Sequence, residues 1–151
     1  MAPHSHNDNH DEPTALDEWA RDLTALVAKG QLRGALFRDT EVGQAALALK
    51  GRRSVLFVGP SGVGKTSVVG ALAQALGRAG GQLHSLSTSS LMTETKWLGE
   101  WQTKVERLVD DIRHRDAVVY VSDVWNLASA GTTVHDRSNV LDALKIGRAH
   151  V

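Results

Sequence analysis

The sequence predicts an α/β fold in which helices flank a parallel sheet, and three observations carry that prediction. The run Gly59-Pro60-Ser61-Gly62-Val63-Gly64-Lys65-Thr66 has the G-x-x-x-x-G-K-[ST] spacing of a loop that cradles phosphates. Two short apolar runs, Ser54–Val58 just before that loop and Ala117–Val121 well beyond it, read as strands buried in a parallel sheet. Around them apolar residues recur at helical spacing. Strands alternating with helices give layers of helix packed on a central sheet.

Taken in order, residues 1–14 are polar and rich in His, Asn, Asp and Pro, and read as a disordered tail. His4, His6 and His10 could catch a stray metal ion, but nothing fixes their geometry, so a solvated tail is the simpler reading. Leu16, Trp19, Ala20, Leu23, Leu26 and Val27 mark one face of a single helix that ends at Gly30. After the loop Gly34-Ala35-Leu36-Phe37-Arg38-Asp39, the residues Val42, Ala45, Ala46 and Leu49 predict a second helix, stopped near Gly51. Ser54–Val58 is expected as a buried parallel strand leading into the phosphate loop. Val68, Val69, Leu72 and Leu76 then give a helix, with Gly77 and Gly80-Gly81 as its stop. Gln82–Leu86 is a short strand candidate. Trp101, Val105, Leu108, Val109 and Ile112 form an amphipathic helix from Glu100 to Arg113, with Trp101 on its core stripe. The strand Ala117–Val121 ends at Ser122-Asp123.

The chemistry of the loop explains its spacing. Glycines allow φ > 0 and bring backbone N–H groups close to phosphate oxygens. The helix that follows presents its unpaired first-turn N–H groups and the positive end of its dipole to the same anion. Lys65 would reach the β/γ-phosphates and the Thr66 hydroxyl would ligate Mg²⁺, with Ser67 completing the nucleotide-binding run. A glycine-rich turn without a ligand leaves Lys65 unexplained.

Composition sets the outer bounds. At 151 residues the chain is one domain at most, large enough for a sizeable core. Seventeen basic residues balance 17 acidic ones, so nothing argues for a nucleic acid or an anionic membrane as partner. With no cysteine, disulfides and thiolate zinc sites are excluded. No apolar run approaches the ~20 residues of a spanning helix, and the N-terminus lacks the apolar core of a signal peptide. The expectation is a cytoplasmic protein.

Four segments carry a resemblance, in matching order. Leu23 to Phe37 followed by Arg38-Asp39-Thr40-Glu41, then the phosphate loop, then Lys96-Trp97-Leu98-Gly99-Glu100-Trp101, then Val118 to Gly131 resemble the first ATPase module of Clp-type AAA+ unfoldases and disaggregases. The third segment is similar to the family's "KYRGEFE" loop and the fourth to its "ILFIDELHTLVGAG" strand end. The resemblance implies a P-loop NTPase sandwich of AAA+ type over residues 15–145, binding ATP and Mg²⁺. It implies that Leu36 and Phe37 line the adenine pocket. From the residues alone, a base or ordinary core packing accounts equally for that apolar pair. It further implies that Lys96, Trp97, Leu98 and Gly99 form a loop facing the pore of a ring, where Trp97 grips unfolded polypeptide; a large aromatic holds varied side chains without specific hydrogen bonds. Without the resemblance, Trp97 reads as a residue packed at a helix entry.

The chain also departs from that pattern. The family places Asp-Glu at the end of the second strand, one carboxylate for the metal shell and one to polarise the attacking water, where this chain has Ser122-Asp123-Val124. Without a gap, Ser122 takes the metal position and Asp123 the catalytic one. Slid by one residue, Asp123 becomes the Mg²⁺ residue and Val124 stands in the catalytic place. The first register is preferred; it offers a carboxylate one methylene short, and a misplacement of about 1 Å can cost ~100-fold in rate. Beyond Lys145, Ile146–Val151 stops following the family and reads as the translation of a sequencing-adapter fragment, to be excluded from fold reasoning. In the family another strand separates the two strands above and comes later in sequence. Its loss, with that of the sensor residues, arginine finger and helical lid, would make these residues marginally stable.

Two functions follow from these features. One is an ATP-hydrolysing ring, hexameric in the resemblance, that threads polypeptide past Trp97. The other is a nucleotide-binding subunit or switch with little or no hydrolysis, because Ser122-Asp123 replaces the Asp-Glu pair. A DNA-linked AAA+ protein is disfavoured by the balanced charge and the lack of a basic stripe.

Overall fold

The computed structural model describes residues 13–93 and 100–130. In chain order they form α1 (Ala15–Trp19), β1 (Arg21–Asp22), α2 (Leu23–Ala28), α3 (Asp39–Lys50), α4 (Lys65–Arg78), β2 (Leu83–Leu86), α5 (Thr88–Met92), α6 (Glu100–Arg115), β3 (Val118–Val121) and α7 (Val124–Ser129). The tail before Pro13, residues 94–99 and the stretch from Gly131 onward lie outside the described residues. So do His4, His6, His10, the segment Lys96–Gly99 and the hexapeptide Ile146–Val151.

The strands form one sheet in the order β1-β2-β3. β2 and β3 run parallel with Leu83 opposite Val118 and Leu86 opposite Val121, as expected of the α/β class. β1 adds an antiparallel edge, Arg21 opposite Ser85 and Asp22 opposite His84.

The two-residue period of a strand sends alternate side chains to opposite faces, and two cores follow from it. On one face Leu86, Val119 and Val121 meet Leu16, Leu91, Trp101, Val105, Leu108 and Leu127 from α1, α5, α6 and α7. On the other, Leu83, Val118 and Tyr120 meet Leu23, Ala45, Val69, Leu72 and Ala73 from α2, α3 and α4. Trp101 is buried in the first core, as its place on the α6 stripe requires.

Two expectations are corrected. The single helix over Leu16–Val27 is broken in two. Thr14 starts α1 with a capping box, accepting from Asp17 N–H while the Asp17 side chain bonds back to the cap. Ala20 is then extended (φ −122°, ψ 154°), and the Asp22 side chain accepts from Ala25 N–H at 3.0 Å to cap a new helix. A helical period continues across the break because both pieces bury apolar residues, though in different cores.

The second correction concerns Ser54–Val58, which is not a buried parallel strand. No described strand pairs with it, and its backbone groups make no ladder bonds to described residues. Val55 and Phe57 pack on the α2–α4 core, whereas Leu56 and Val58 are 74% and 84% exposed. The period-2 alternation of a strand is present without strand neighbours among the described residues. β3 ends the sheet on this side, and nothing among the described residues bridges the two.

Candidate nucleotide site

The phosphate loop joins Ser54–Val58 to α4, and its conformation depends on glycine. Gly62 and Gly64 hold φ of +79° and +94°, values that a side chain disfavours, and a Cβ at either would meet open space. Gly64 is the N-cap of α4, so no side chain caps the helix start. Among the described residues nothing takes up the first-turn N–H groups of this 14-residue helix, which suits an anion. This is the geometry a polyphosphate requires, and the residues present fit one.

Lys65 Nζ donates to the carbonyl oxygens of Gly59 at 2.8 Å and Pro60 at 2.7 Å, so the ammonium lies across its own loop. Thr66 and Ser67 are exposed on the first turn of α4. The residues Gly59 through Ser67, expected from sequence to bind nucleotide, run consecutively through the loop into α4, with Val63 44% exposed.

The loop Gly34–Arg38 lies against the same helix. Ala35 N–H donates to Ser67 C=O at 2.8 Å, and the Arg38 guanidinium reaches Val63 C=O at 3.5 Å. Arg38 also pairs with Glu41 at 2.8 Å, a hydrogen bond that holds the Glu41 carboxyl below the usual range. Leu36 and Phe37 are not core residues: they are 80% and 93% exposed, and Phe37 has φ +59°. An aromatic held in the left-handed region and left in solvent is costly on both counts. Of the two readings open for this pair, core packing is removed.

Asp123 is engaged by a backbone donor. At the C-terminal end of β3 its carboxylate accepts the Thr88 N–H at 3.2 and 3.3 Å, which ties α7 to α5. Asp123 itself is half-buried, and α7, which follows it, buries Leu127 in the core on the face opposite α4. Ser122 beside it is exposed. The structure brings Leu36 and Phe37 to the phosphate loop but holds Asp123 on Thr88. Among the described residues no group of three or more His, Asp or Glu side chains could hold a metal ion by itself. A divalent cation here would rely on the phosphates and on Thr66, with Asp123 as the acidic candidate.

Gly34, Gly70, Arg38 and Thr88 were not singled out from sequence. Gly70 carried a readable signal, a glycine inside an apolar helix, where it disfavours the helix unless another backbone approaches. Thr88 carried none, since its role is played by a backbone N–H.

Comparison with known proteins adds the family and the fold. Residues 55–146 match the family described as "ATPase family associated with various cellular activities (AAA)". The ATP-binding subunit ClpC of the ATP-dependent Clp protease from Staphylococcus saprophyticus is 28% identical over 147 residues, which is 89% of this chain and 18% of that protein. The chaperone protein ClpB of Chlamydia pneumoniae is 28% identical over 149 residues, 89% of this chain and 17% of that protein. In fold, the chain resembles Saccharomyces cerevisiae Hsp104 in its ADP complex, with TM-score 0.68 and 22% identity over 88% of this chain and 25% of that one. For Hsp104 with casein in the extended conformation the TM-score is 0.72, at 20% identity over 90% and 24%. The chain spans less than a fifth of the length of these curated relatives.

Proposed function

Because the chain belongs to the AAA family of ATPases, we propose that its phosphate loop binds Mg·ATP as the nucleotide-binding part of a Clp-like protein unfoldase or disaggregase. The observation that carries this reading is the pair of left-handed glycines leading into an uncapped helix start, with Lys65 beside it. The N–H groups of Gly62 through Thr66 would hold the β- and γ-phosphates and Lys65 would exchange its carbonyl partners for phosphate oxygens. The Thr66 hydroxyl oxygen would ligate Mg²⁺, which when bound neutralises charge on those oxygens. Leu36 and Phe37 would cover the adenine. Hydrolysis would require Asp123 to accept the proton of the water that attacks the γ-phosphorus, while the bond to the β–γ bridging oxygen breaks and ADP leaves.

Polypeptide as the substrate, Lys96–Gly99 as the gripping loop, assembly into a ring and a cytoplasmic location all belong to this reading. Support comes from the likeness to chaperone protein ClpB and from the fold likeness to Hsp104, one of whose structures is a casein complex. Calorimetric titration of Mg·ATP tests the binding step: Lys65→Ala should weaken it at least about tenfold, ~1.4 kcal/mol. Unchanged affinity would sink the assignment.

A second reading rests on Asp123, whose carboxylate is already engaged by Thr88 N–H, and on the neutral Ser122 beside it. In that reading the chain holds ATP without turning it over, as a subunit or switch. The two readings separate in steady-state phosphate release: turnover that appears only in Ser122→Asp with Asp123→Glu supports the switch.

A further inference from the structure

The loop before Leu36 closely approaches the helix behind the phosphate loop. A Cβ built on Gly70 would stand 2.7 Å from Arg33 C=O and 3.4 Å from Gly34 Cα. One built on Gly34 would stand 2.8 Å from Ala71 Cα and 3.0 Å from its N. Both contacts are backbone on backbone, so no side chain can swing aside to relieve them. Such an approach is open only to glycine.

Glycine here opposes the local preference. Gly70 lies in the interior of α4, where alanine is the better helix former. Gly77 of the same helix lacks this constraint, since a Cβ there would meet only the Thr24 side chain, Cγ2 at 3.5 Å and Cβ at 3.7 Å, ordinary contacts. The Gly34–Gly70 approach sets the height of the next four residues. Ala35 N–H then reaches Ser67 C=O at 2.8 Å, Phe37 stands in solvent with φ +59°, and Arg38 touches Val63 C=O at 3.5 Å.

We infer that the Gly34–Gly70 contact is a positioning device for base recognition, holding the loop Ala35–Arg38 at a fixed distance from the phosphates gripped at the start of α4. The inference rests on the ATP reading above and adds that the affinity contributed by the base runs through two glycines that touch no ligand. One arm of the site is the loop's exposed apolar pair; the other is the helix start. Raising the loop by even part of a methyl group separates the arms while leaving each intact.

The test compares ATP with inorganic tripolyphosphate, both with Mg²⁺, on the full 151-residue chain, its Gly70→Ala variant and a Gly77→Ala control. The unaltered chain should prefer ATP. Gly70→Ala should lose about tenfold or more in ATP affinity while its tripolyphosphate affinity stays within about twofold. Gly77→Ala should change neither. Equal loss of both ligands by Gly70→Ala would mean a merely structural role and would overturn the inference, as would a variant that keeps its ATP preference. If the unaltered chain binds both equally, the inference fails while the phosphate-loop assignment stands; if it binds neither, both fail. Should Gly70→Ala not fold, amide exchange on the unaltered chain decides. Ala35 N–H should exchange more slowly with ATP but not with tripolyphosphate, and equal slowing by both would overturn the inference.

Discussion

Arg115 grips Asp17 with both arms of its guanidinium, Nη1 donating to Oδ1 at 3.2 Å and Nη2 to Oδ2 at 2.7 Å, across 98 positions of sequence. Arg115 Nε also lies 3.4 Å from Asp111 Oδ1, and Asp111 Oδ2 accepts Leu16 N–H at 2.9 Å. Together these bonds fasten the short α1, whose first turn Asp17 also helps to cap, to the end of α6.

The Arg115 hydrogen bond holds the Asp17 carboxyl below its ordinary pKa, outweighing its slight burial. A depressed folded value stabilises the fold above the unfolded pKa of about 3.9, and that stabilisation is lost as pH falls through the folded value. Both side chains keep much of their exposure, so Arg115→Gln should cost only about 0.5–1 kcal/mol at pH 7. Urea midpoints at pH 7 and pH 3 check this: the deficit should shrink at the lower pH. A deficit that grew toward pH 3 would contradict the sign.

Glycine positions give opposite outcomes on different helices. Gly64→Ala forces a side chain into φ +94° and should cost about 1–2 kcal/mol, along with nucleotide binding. Gly43→Ala, on α3 with nothing within 4 Å of its Cβ, should gain about 0.5–1 kcal/mol. Thermal unfolding of the two variants beside the unaltered chain is the check, and two shifts of the same sign would refute the backbone argument.

The extended segment offers a test of alternation. Phe57→Ala should destabilise by about 2 kcal/mol, less than a fully buried Phe because its ring is only partly covered. Leu56→Thr with Val58→Thr should stay within about 0.5 kcal/mol, since both side chains face solvent. Chemical denaturation distinguishes the faces. If Leu56 and Val58 prove the costlier pair, the segment is turned over in solution.

Asp123 can be probed for its structural bond before any catalytic role is assigned. Asp123→Ala leaves the Thr88 N–H without its acceptor and should cost about 1–2 kcal/mol. Asp123→Asn keeps an oxygen there and should cost less. Equal losses by equilibrium unfolding would show that the bond to Thr88 carries no weight.

Much of this was legible in the residues themselves. The phosphate loop, α3, α4, α6 and β3 were each marked by a period or motif strong enough to survive tertiary context, while β2 was only a bare strand candidate. α1 and α2 were not separable, because Leu16 and Leu23 are both apolar at helical spacing and the break depends on Asp22 turning its carboxylate back onto Ala25 N–H. Ser54–Val58 misled for a complementary reason. Its alternation fixes which side chains turn inward, but a strand is buried only when neighbours exist to bury it. At the candidate site the glycines and Lys65 could be read directly. The exposure of Phe37 and the hold of Thr88 on Asp123 arise from chain segments dozens of residues apart, which no local pattern encodes.

The stretch Ser54-Val55-Leu56-Phe57-Val58 has a consequence for how molecules of this chain meet one another. It is uncharged and free of proline, and its backbone donors and acceptors are not taken up by described residues. Such a segment can be extended by any passing chain of similar habit. At neutral pH the formal net charge is zero, so no long-range repulsion keeps copies apart. Leu56→Lys should therefore reduce association between copies of the chain, read as lower light scattering at neutral pH.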